Sequence, residues 1–459
     1  MKRPPRWIGR LTKPVLIACV IGVFSAFGLA DRIAGFSANL GEKDRMVRWS
    51  AVLSGATHDA IPVTLIDIDP STMAALGHPQ TTPREVLAGL LALAAAKHAG
   101  GIFLDMDTSR PGSPAGDAAL AGFLAAYPPD APPLALARRL GALDQAGASV
   151  DALAEQPSLL DATVRGKPNV IWAASVSRID EDRVVRRWQL SHTSCSPGAG
   201  ATLPSPQLFA AAVAGAHPRP LSDIQAFADS RTQAVCTPGT AAAAPAWPRN
   251  PDQSAAIAFL IPDGPDLAAP QFIARDGRQV PLFRRVPARA LMTASGAVVS
   301  PQAVADDLLR GRFVIIGASH AESMDGHLTP IGFLPGALIV ANAVATAPAV
   351  LSGQPVGPIG ATLIALTLLG ALVAITSRLR PLAAGLVVAV AVLGALMVLG
   401  RIFAPSTASD IVLAAFGMVA FLSTAEGIHA IGKDWRARGW RALLKPEKPP
   451  AVKPTETIT

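Results

Sequence analysis

Three apolar runs dominate the C-terminal part of the chain: residues 356–375, 382–399 and 411–431. Each matches the ~20 residues a helix needs to cross a ~30 Å hydrocarbon core. The breaks between them are short and hold Arg378, Arg380 and Pro381, then Arg401 and Pro405. Loops this short predict antiparallel neighbours. A fourth run, residues 14–30, lies near the N-terminus and ends at Asp31-Arg32. No small-x-small cleavage pattern follows it before those charges, so it reads as a retained anchor rather than a removed signal peptide. The hydropathy pattern therefore predicts four transmembrane helices, one N-terminal and three C-terminal.

Residues 31–355 have a different pattern. Ile61 to Ile68 is a β-rich run with Asp67 inside it, stopped at Pro70, and reads as a buried strand. An Ala/Leu-rich helix is predicted over residues 84–98, with Thr82 as N-cap and Pro83 at its first position. Gly100-Gly101 ends it, and residues 102–107 form a second strand. Strand, helix and strand at this spacing make a βαβ unit with a parallel pair. Further helices are expected at 117–127, 206–214, 300–309 and 338–347, and further strands at 169–176, 256–261, 279–283 and 313–318. Residues 183–190 read as one arm of a hairpin turning at Asp180-Glu181-Asp182. The expected class is an α/β domain with a mixed, partly parallel sheet. Residues 191–255 read as an irregular insertion, because 217–251 is rich in Pro, Ala, Ser and Thr with little periodicity.

Charge adds an orientation to this pattern. The net charge of +7 is concentrated at the termini. Lys2, Arg3, Arg6, Arg10 and Lys13 precede the first apolar run, and Lys433, Arg436, Arg438, Arg441 and Lys445 follow the last. Positive residues flanking spans mark the cytoplasmic side. Residues 1–13 and the tail 432–459 are therefore expected inside, with 31–355 outside the cytoplasm. Arg378 and Arg380 fall on the inner side in the same arrangement. The basic balance thus reads as topology, and no nucleic-acid partner is expected. A mean hydropathy of +0.38 agrees with a bilayer-embedded chain.

Cys195 and Cys236 form an even pair in the polar region, and outside the cytoplasm a disulfide between them is plausible. No cysteine spacing resembles a zinc site. P-loop, H-E-x-x-H and G-x-G-x-x-G patterns are absent from the sequence, so no cofactor is expected. Gly317-Ala318-Ser319 lacks the rest of a G-x-S-x-G elbow, since position 321 is Ala. No enzymatic activity is expected.

Acidic pairs at strand ends carry the candidate chemistry. Asp67 and Asp69 close the first strand, and Asp105 and Asp107 close the second, each pair two residues apart and expected on one face. Ligands of open parallel sheets sit beyond those strand ends. Four carboxylates there suit a cation, an amine or a polyol; the alternative is that they cap helices and pair with Arg84 or Arg110. Arg84 opens a helix, where its charge opposes the dipole, and calls for a carboxylate such as Asp67 or Asp105. Asp325 joins the candidate ligand-binding set, and with His320 and His327 it makes a weak metal-site pattern.

Several separated segments, in order, resemble the CHASE2 family of extracytoplasmic sensor domains of bacterial receptors. They are residues 63–69, Pro83-Arg84, residues 101–107, Asp117, Val184-Val185-Arg186-Arg187, residues 310–317, Asp325, Thr329-Pro330-Ile331-Gly332 and Pro335-Gly336. The resemblance spans residues 44–353. One departure is Val340, where the family often has a histidine ahead of Ala341-Asn342. The resemblance implies a bacterial inner-membrane protein whose outer domain senses a small molecule or an envelope condition. Family members usually carry an effector domain after three spans. About thirty residues follow here, fewer than the ~50 a domain needs, so the expectation is a stand-alone sensor acting on a separate membrane or cytoplasmic effector. The alternative is a structural subunit of an envelope complex. A homodimer is left open.

Overall fold

The computed structural model describes residues 47, 50–51, 60–142, 153–196, 199–215, 220–236, 254–263, 271–273, 279–323, 325–352, 358–376, 381–403 and 407–415. The chain divides into two compact units: residues 38–356 with 393–409, and residues 1–37 with 357–392 and 410–459.

In chain order the larger unit begins with β1 (Val63–Ile68), α1 (Pro70–Ala75), α2 (Arg84–Ala96), β2 (Gly101–Asp105), α3 (Pro114–Ala126) and β3 (Leu134–Ala137). Then come β4 (Leu140–Ala142), β5 (Leu153–Glu155), α4 (Asp161–Arg165), β6 (Val170–Ala173), β7 (Ser177–Ile179), β8 (Val185–Gln189), β9 (Ser191–Ser196) and β10 (Ala199–Pro204). They are followed by α5 (Pro206–Ala214), α6 (Pro220–Cys236), β11 (Ser254–Ala256), β12 (Gln271–Ile273), β13 (Gln279–Pro281) and β14 (Phe283–Pro287). The last elements of this unit are α7 (Asp306–Leu309), β15 (Phe313–Ala318), β16 (Gly326–Thr329), β17 (Gly332–Pro335) and α8 (Gly336–Ser352).

Six strands form the central sheet in the order β14-β1-β15-β2-β3-β6. All five pairings are parallel. The expected mixed sheet is thereby corrected: antiparallel pairing is confined to separate small ladders such as β9–β10 and β16–β17. The physical reason lies in burial. Every residue of β1 is buried, and a strand covered on both faces carries a continuous apolar run, which is the mark of a parallel sheet flanked by helices. On one face Ile66, Ile68, Leu104 and Ile316 pack with α2 and α3. On the other, Leu65, Phe103 and Ile315 pack with α5 and α8. The result is a three-layer arrangement.

Gly317 shows how tight the second face is. A Cβ there would lie 2.8 Å from Ala337 Cβ at the start of α8, so only glycine lets that helix approach the sheet. At the opposite end of the strands, Arg312 is 2% exposed. It donates to Thr64 Oγ1 at 2.7 Å, the Val63 carbonyl at 2.6 Å and the Pro281 carbonyl at 3.0 Å. Burial, together with the charge of Arg284, lowers its pKa to about 10.

The expected irregular insertion at 191–255 is overturned over much of its length. Within it lie β9, β10, α5 and the 17-residue α6. Ile224, Phe227 and Ala228 form a buried stripe at helical spacing in α6, narrow enough to be lost among Ser, Asp and Ala. Cys195 and Cys236 are joined by a disulfide that ties β9 to the end of α6, with Cα atoms 5.5 Å apart. Smaller differences follow from local caps. Pro83, not Thr82, is the N-cap of α2. The helix expected from 117 starts at Pro114, because Ser113 caps it by accepting from Gly116 N. The helix expected at 300–309 is reduced to a 3-10 turn at Pro301–Ala303 and the short α7. Residues 257–261 are not a strand: the Asn342 amide clamps Ile261, accepting from its N–H at 2.7 Å and donating to its carbonyl at 2.9 Å.

In the second unit, helices stand where two spans are expected. One is α9 (Pro358–Thr376); the other, α10 (Pro381–Ile402), continues into residues grouped with the first unit. Among the described residues no helix is long and apolar enough to cross a membrane. The span expected at 14–30, most of 411–431, and the basic ends 1–13 and 432–459 lie outside the described residues.

Candidate ligand-binding cleft

Beyond the C-terminal strand ends of the central sheet lies a cleft of ≈ 680 Å³. Its lining includes Asp105 at the end of β2, Ala318 at the end of β15, Arg138 just past β3, Thr82 and Arg84 at the start of α2, and Val340 in α8. Of the six candidate ligand-binding residues, Arg84, Asp105, Asp107 and Asp325 line it; Asp67 and Asp69 are not among its lining residues.

Register places Asp67, Gly317 and Asp105 in one row across β1, β15 and β2. Their environments differ. Asp67 is 1% exposed. Its Oδ2 accepts from Arg285 Nε at 2.6 Å and from Ser319 Oγ at 2.8 Å. Arg285 also reaches Asp263 at 2.6 Å and Ser319 at 2.9 Å. Burial still raises the Asp67 carboxyl above its usual range, against the pull of Arg285. Asp105 has no hydrogen-bond or ion-pair partner among the described residues. Enclosure by protein, reinforced by the charge of Asp325, pushes its carboxyl up to about 7.

The remaining candidates are largely engaged. Asp69 and Asp107 do not share a strand face with Asp67 and Asp105, because β1 ends at Ile68 and β2 at Asp105. Asp69 is instead the N-cap of α1, accepting from Thr72 N at 2.8 Å and from the Thr72 hydroxyl at 2.6 Å. Burial raises its carboxyl, but the Thr72 and Ser71 hydrogen bonds outweigh that and hold it low. Asp107 accepts from Ser109 N at 2.9 Å and Arg139 Nη1 at 2.7 Å, which likewise overcome burial and hold it low. Arg84 does not pair with Asp67 or Asp105. It binds Asp117 at 2.5 Å and the carbonyls of Thr108 and Arg110, latching the loop after β2 to α3. The helix dipole at α2 is thus opposed by a cation whose countercharge comes from the next helix.

Asp325 and His327 contact each other at 3.1 Å, and that hydrogen bond raises the His327 pKa. The Asp325 carbonyl accepts from Gly336 N at 2.6 Å, tying this loop to the first residue of α8. His320, Asp325 and His327 all line the cleft. Among the described residues, however, no group of three His, Cys, Asp or Glu side chains is placed to hold a metal ion. Ser319, beside the elbow-like Gly317-Ala318, gives its hydroxyl hydrogen to Asp67.

A family model described as the CHASE2 domain matches residues 15–375. The chain belongs to the CHASE2 family. No curated protein and no solved structure matches it. CHASE2 domains are extracellular sensory domains, so this chain carries a sensory domain whose cleft opens where parallel sheets take ligands. Val340 lines that cleft as an apolar group.

Sequence reasoning missed Arg138 and Arg139 because it passed over β3. That strand is only four residues, two of them alanine, which is weak β signal. The usable cue was Pro132-Pro133 ahead of a short apolar run ending in two arginines. Arg138 is bound by Asp161 and Glu155, and its guanidinium stacks 4.6 Å above the Trp172 ring.

Proposed function

We propose that this CHASE2 protein is a membrane-anchored extracytoplasmic sensor that binds a small molecule in the cleft and passes the change to a separate effector. The observation that carries this reading is the cleft's lining, which joins Asp105 at a strand end to Gly336 and Val340 in the first turns of α8. α8 is the helix that precedes the apolar run 356–375 in sequence. A ligand there has direct purchase on the element next to the expected spans. It shifts the helix only by its differential affinity for two arrangements.

The anchoring part of the reading rests on the four apolar runs and on basic residues flanking them. The exposed apolar side chains of α10, among them Val390, Leu393 and Val398, suit lipid contact. The Cys195–Cys236 disulfide suits an oxidising compartment outside the cytoplasm. Reporter fusions test the topology. Alkaline phosphatase fused after Ser352 should be active, and green fluorescent protein fused after Thr459 should fluoresce. The inverse pattern would sink the arrangement. For sensing, Val340→Trp should fill the cleft and change hydrogen exchange in α8 of the full chain; unchanged α8 exchange would count against coupling through that helix.

A second reading, a structural subunit of an envelope complex, is favoured by one feature. Leu328 and Phe333 face each other across β16–β17 and are 47% and 67% exposed. Such a pair suits a protein partner. Replacing both with Ser should leave the cleft intact, so loss of function from that change alone would favour this reading.

A further inference from the structure

Charges that line the cleft mostly cancel one another. Arg84 is bound by Asp117, Arg138 by Asp161 and Glu155, Arg139 by Asp107, and Asp325 by His327. His320 has an interaction of its own. Two lining groups of opposite sign are left without a partner among the described residues: the Asp105 carboxyl and the Arg110 guanidinium. An acid enclosed by protein and unpaired is costly unless something meets it. Asp105 is half-buried and Arg110 exposed, so one charge lies further in than the other. They stand five positions apart, Asp105 at the end of β2 and Arg110 in the loop after it, which limits their Cα separation to about 17 Å even if fully extended.

An independent observation points the same way. Thr82 lines the same cleft, is 7% exposed, and its Oγ1 has no hydrogen-bond partner among the described residues. A buried hydroxyl left unpaired is unusual in a native protein and marks a place where a polar group is missing.

We infer that the cleft takes a small zwitterion, its protonated nitrogen held by the Asp105 carboxylate and its anionic group by the Arg110 guanidinium. This rests on the sensory-cleft reading and adds the chemistry of the ligand. A metal ion is a poorer occupant, because the described carboxylates and imidazoles do not gather into a set of three. An uncharged polyol leaves both unmatched charges as they are, and a simple amine answers only one of them.

Proton linkage gives the inference a signature beyond affinity. A carboxyl titrating at about 7 is largely protonated at pH 6, with the Asp325 charge adding to its enclosure. A cationic nitrogen favours its ionised form. Binding should therefore release a proton and tighten as pH rises from 6 to 8.

The test is calorimetric titration of the full chain in lipid nanodiscs with the proteinogenic amino acids, their decarboxylated amines, their N-acetyl derivatives and glycerol. At least one amino acid should bind saturably. Asp105→Asn and Arg110→Gln should each weaken it about tenfold or more, the worth of one charge-assisted contact. Removing either charge from the probe should do the same. Thermal melting of each variant checks folding, and Arg110→Gln, at an exposed position, carries the test if Asp105→Asn does not fold. A decarboxylated amine that binds as tightly as its parent, with Arg110→Gln silent, overturns the zwitterion and leaves a sensing cleft. Glycerol binding lost on Val340→Trp but not on Asp105→Asn does likewise. If no probe of any class shows binding sensitive to Asp105→Asn or Val340→Trp, both readings fall.

Discussion

Two carboxylates stand at one level of the central sheet, on either side of Gly317, and the molecule treats them differently. Around Asp67, the β14–β1–β15 side closes: Arg285 and Ser319 meet its Oδ2, and Arg285 reaches on to Asp263. Around Asp105, the β15–β2–β3 side opens into the cleft, and the described residues supply no partner. Desolvation raises the carboxyl of both, the fully buried Asp67 and the half-buried Asp105. What separates a structural acid from a candidate binding acid is whether the fold itself answers the charge. Arg312 makes the same point at the other end of the strands. It is about as buried as Asp67, but hydroxyl and carbonyl oxygens occupy its donors, so it clips strands together.

The sharpest way to break this contrast is to remove the answer to Asp67. Arg285→Met should leave a buried, unpaired carboxylate and cost roughly 3 kcal/mol, since deleting one partner of a buried pair exposes the other's desolvation. Thermal or chemical unfolding of the full chain in nanodiscs would measure it. A loss under about 1 kcal/mol would mean the two acids are less different than their contacts indicate.

Asp105→Asn should have the opposite sign. The folded-state carboxyl titrates at about 7, above the ~4 of an unfolded chain, so the folded protein keeps a proton that the unfolded chain gives up between those values. Wild-type stability should then fall as pH rises from ~4 through ~7 and level off above. The variant should lack that slope and be more stable at pH 8 by roughly 2 kcal/mol, after discounting for solvent in the cleft. Equal slopes in the two proteins would remove Asp105 from its place as the unanswered acid.

Gly317→Ala probes the residue between them. Its new methyl would meet Ala337 Cβ at 2.8 Å, so α8 must shift, at about 1–2 kcal/mol. Altered hydrogen exchange in α8 is expected along with the lower melting temperature. His327→Gln should matter least. It removes a half-exposed contact with Asp325, worth under about 0.5 kcal/mol. Because the His327 pKa is raised, that contribution is present below the unfolded value of ~6.5 and is lost as pH rises through the folded one.

The first βαβ unit was legible in the chain because Ile61 to Ile68 and residues 102–105 are short apolar runs on either side of a long Ala/Leu helix. So were the hairpin turning at Asp180–Asp182, the helix ended by Gly215 and the strand at Phe313. β3 and α6 were not: one is too short and alanine-rich, and the other shows only a narrow apolar stripe. β14 was also hidden, since arginines at 284 and 285 interrupt its apolar pattern at the sheet edge.

For the candidate site, sequence alone placed Asp67 and Asp105 at the ends of the first two strands, because a strand's apolar run is a local feature, but it carried each strand too far, and Asp69 and Asp107 fall past the ends. It also picked out Arg84 as a helix-start cation needing a carboxylate, and the two cysteines as a pair. Tertiary structure alone decided the partners. Arg285 is 218 positions from Asp67, and Arg84 finds Asp117 rather than either strand-end acid. Ion pairing depends on distances of a few ångströms across elements far apart in the chain, and no periodicity encodes them. For the same reason, only the folded arrangement distinguished Asp67, whose charge the protein meets, from Asp105, whose charge it leaves open.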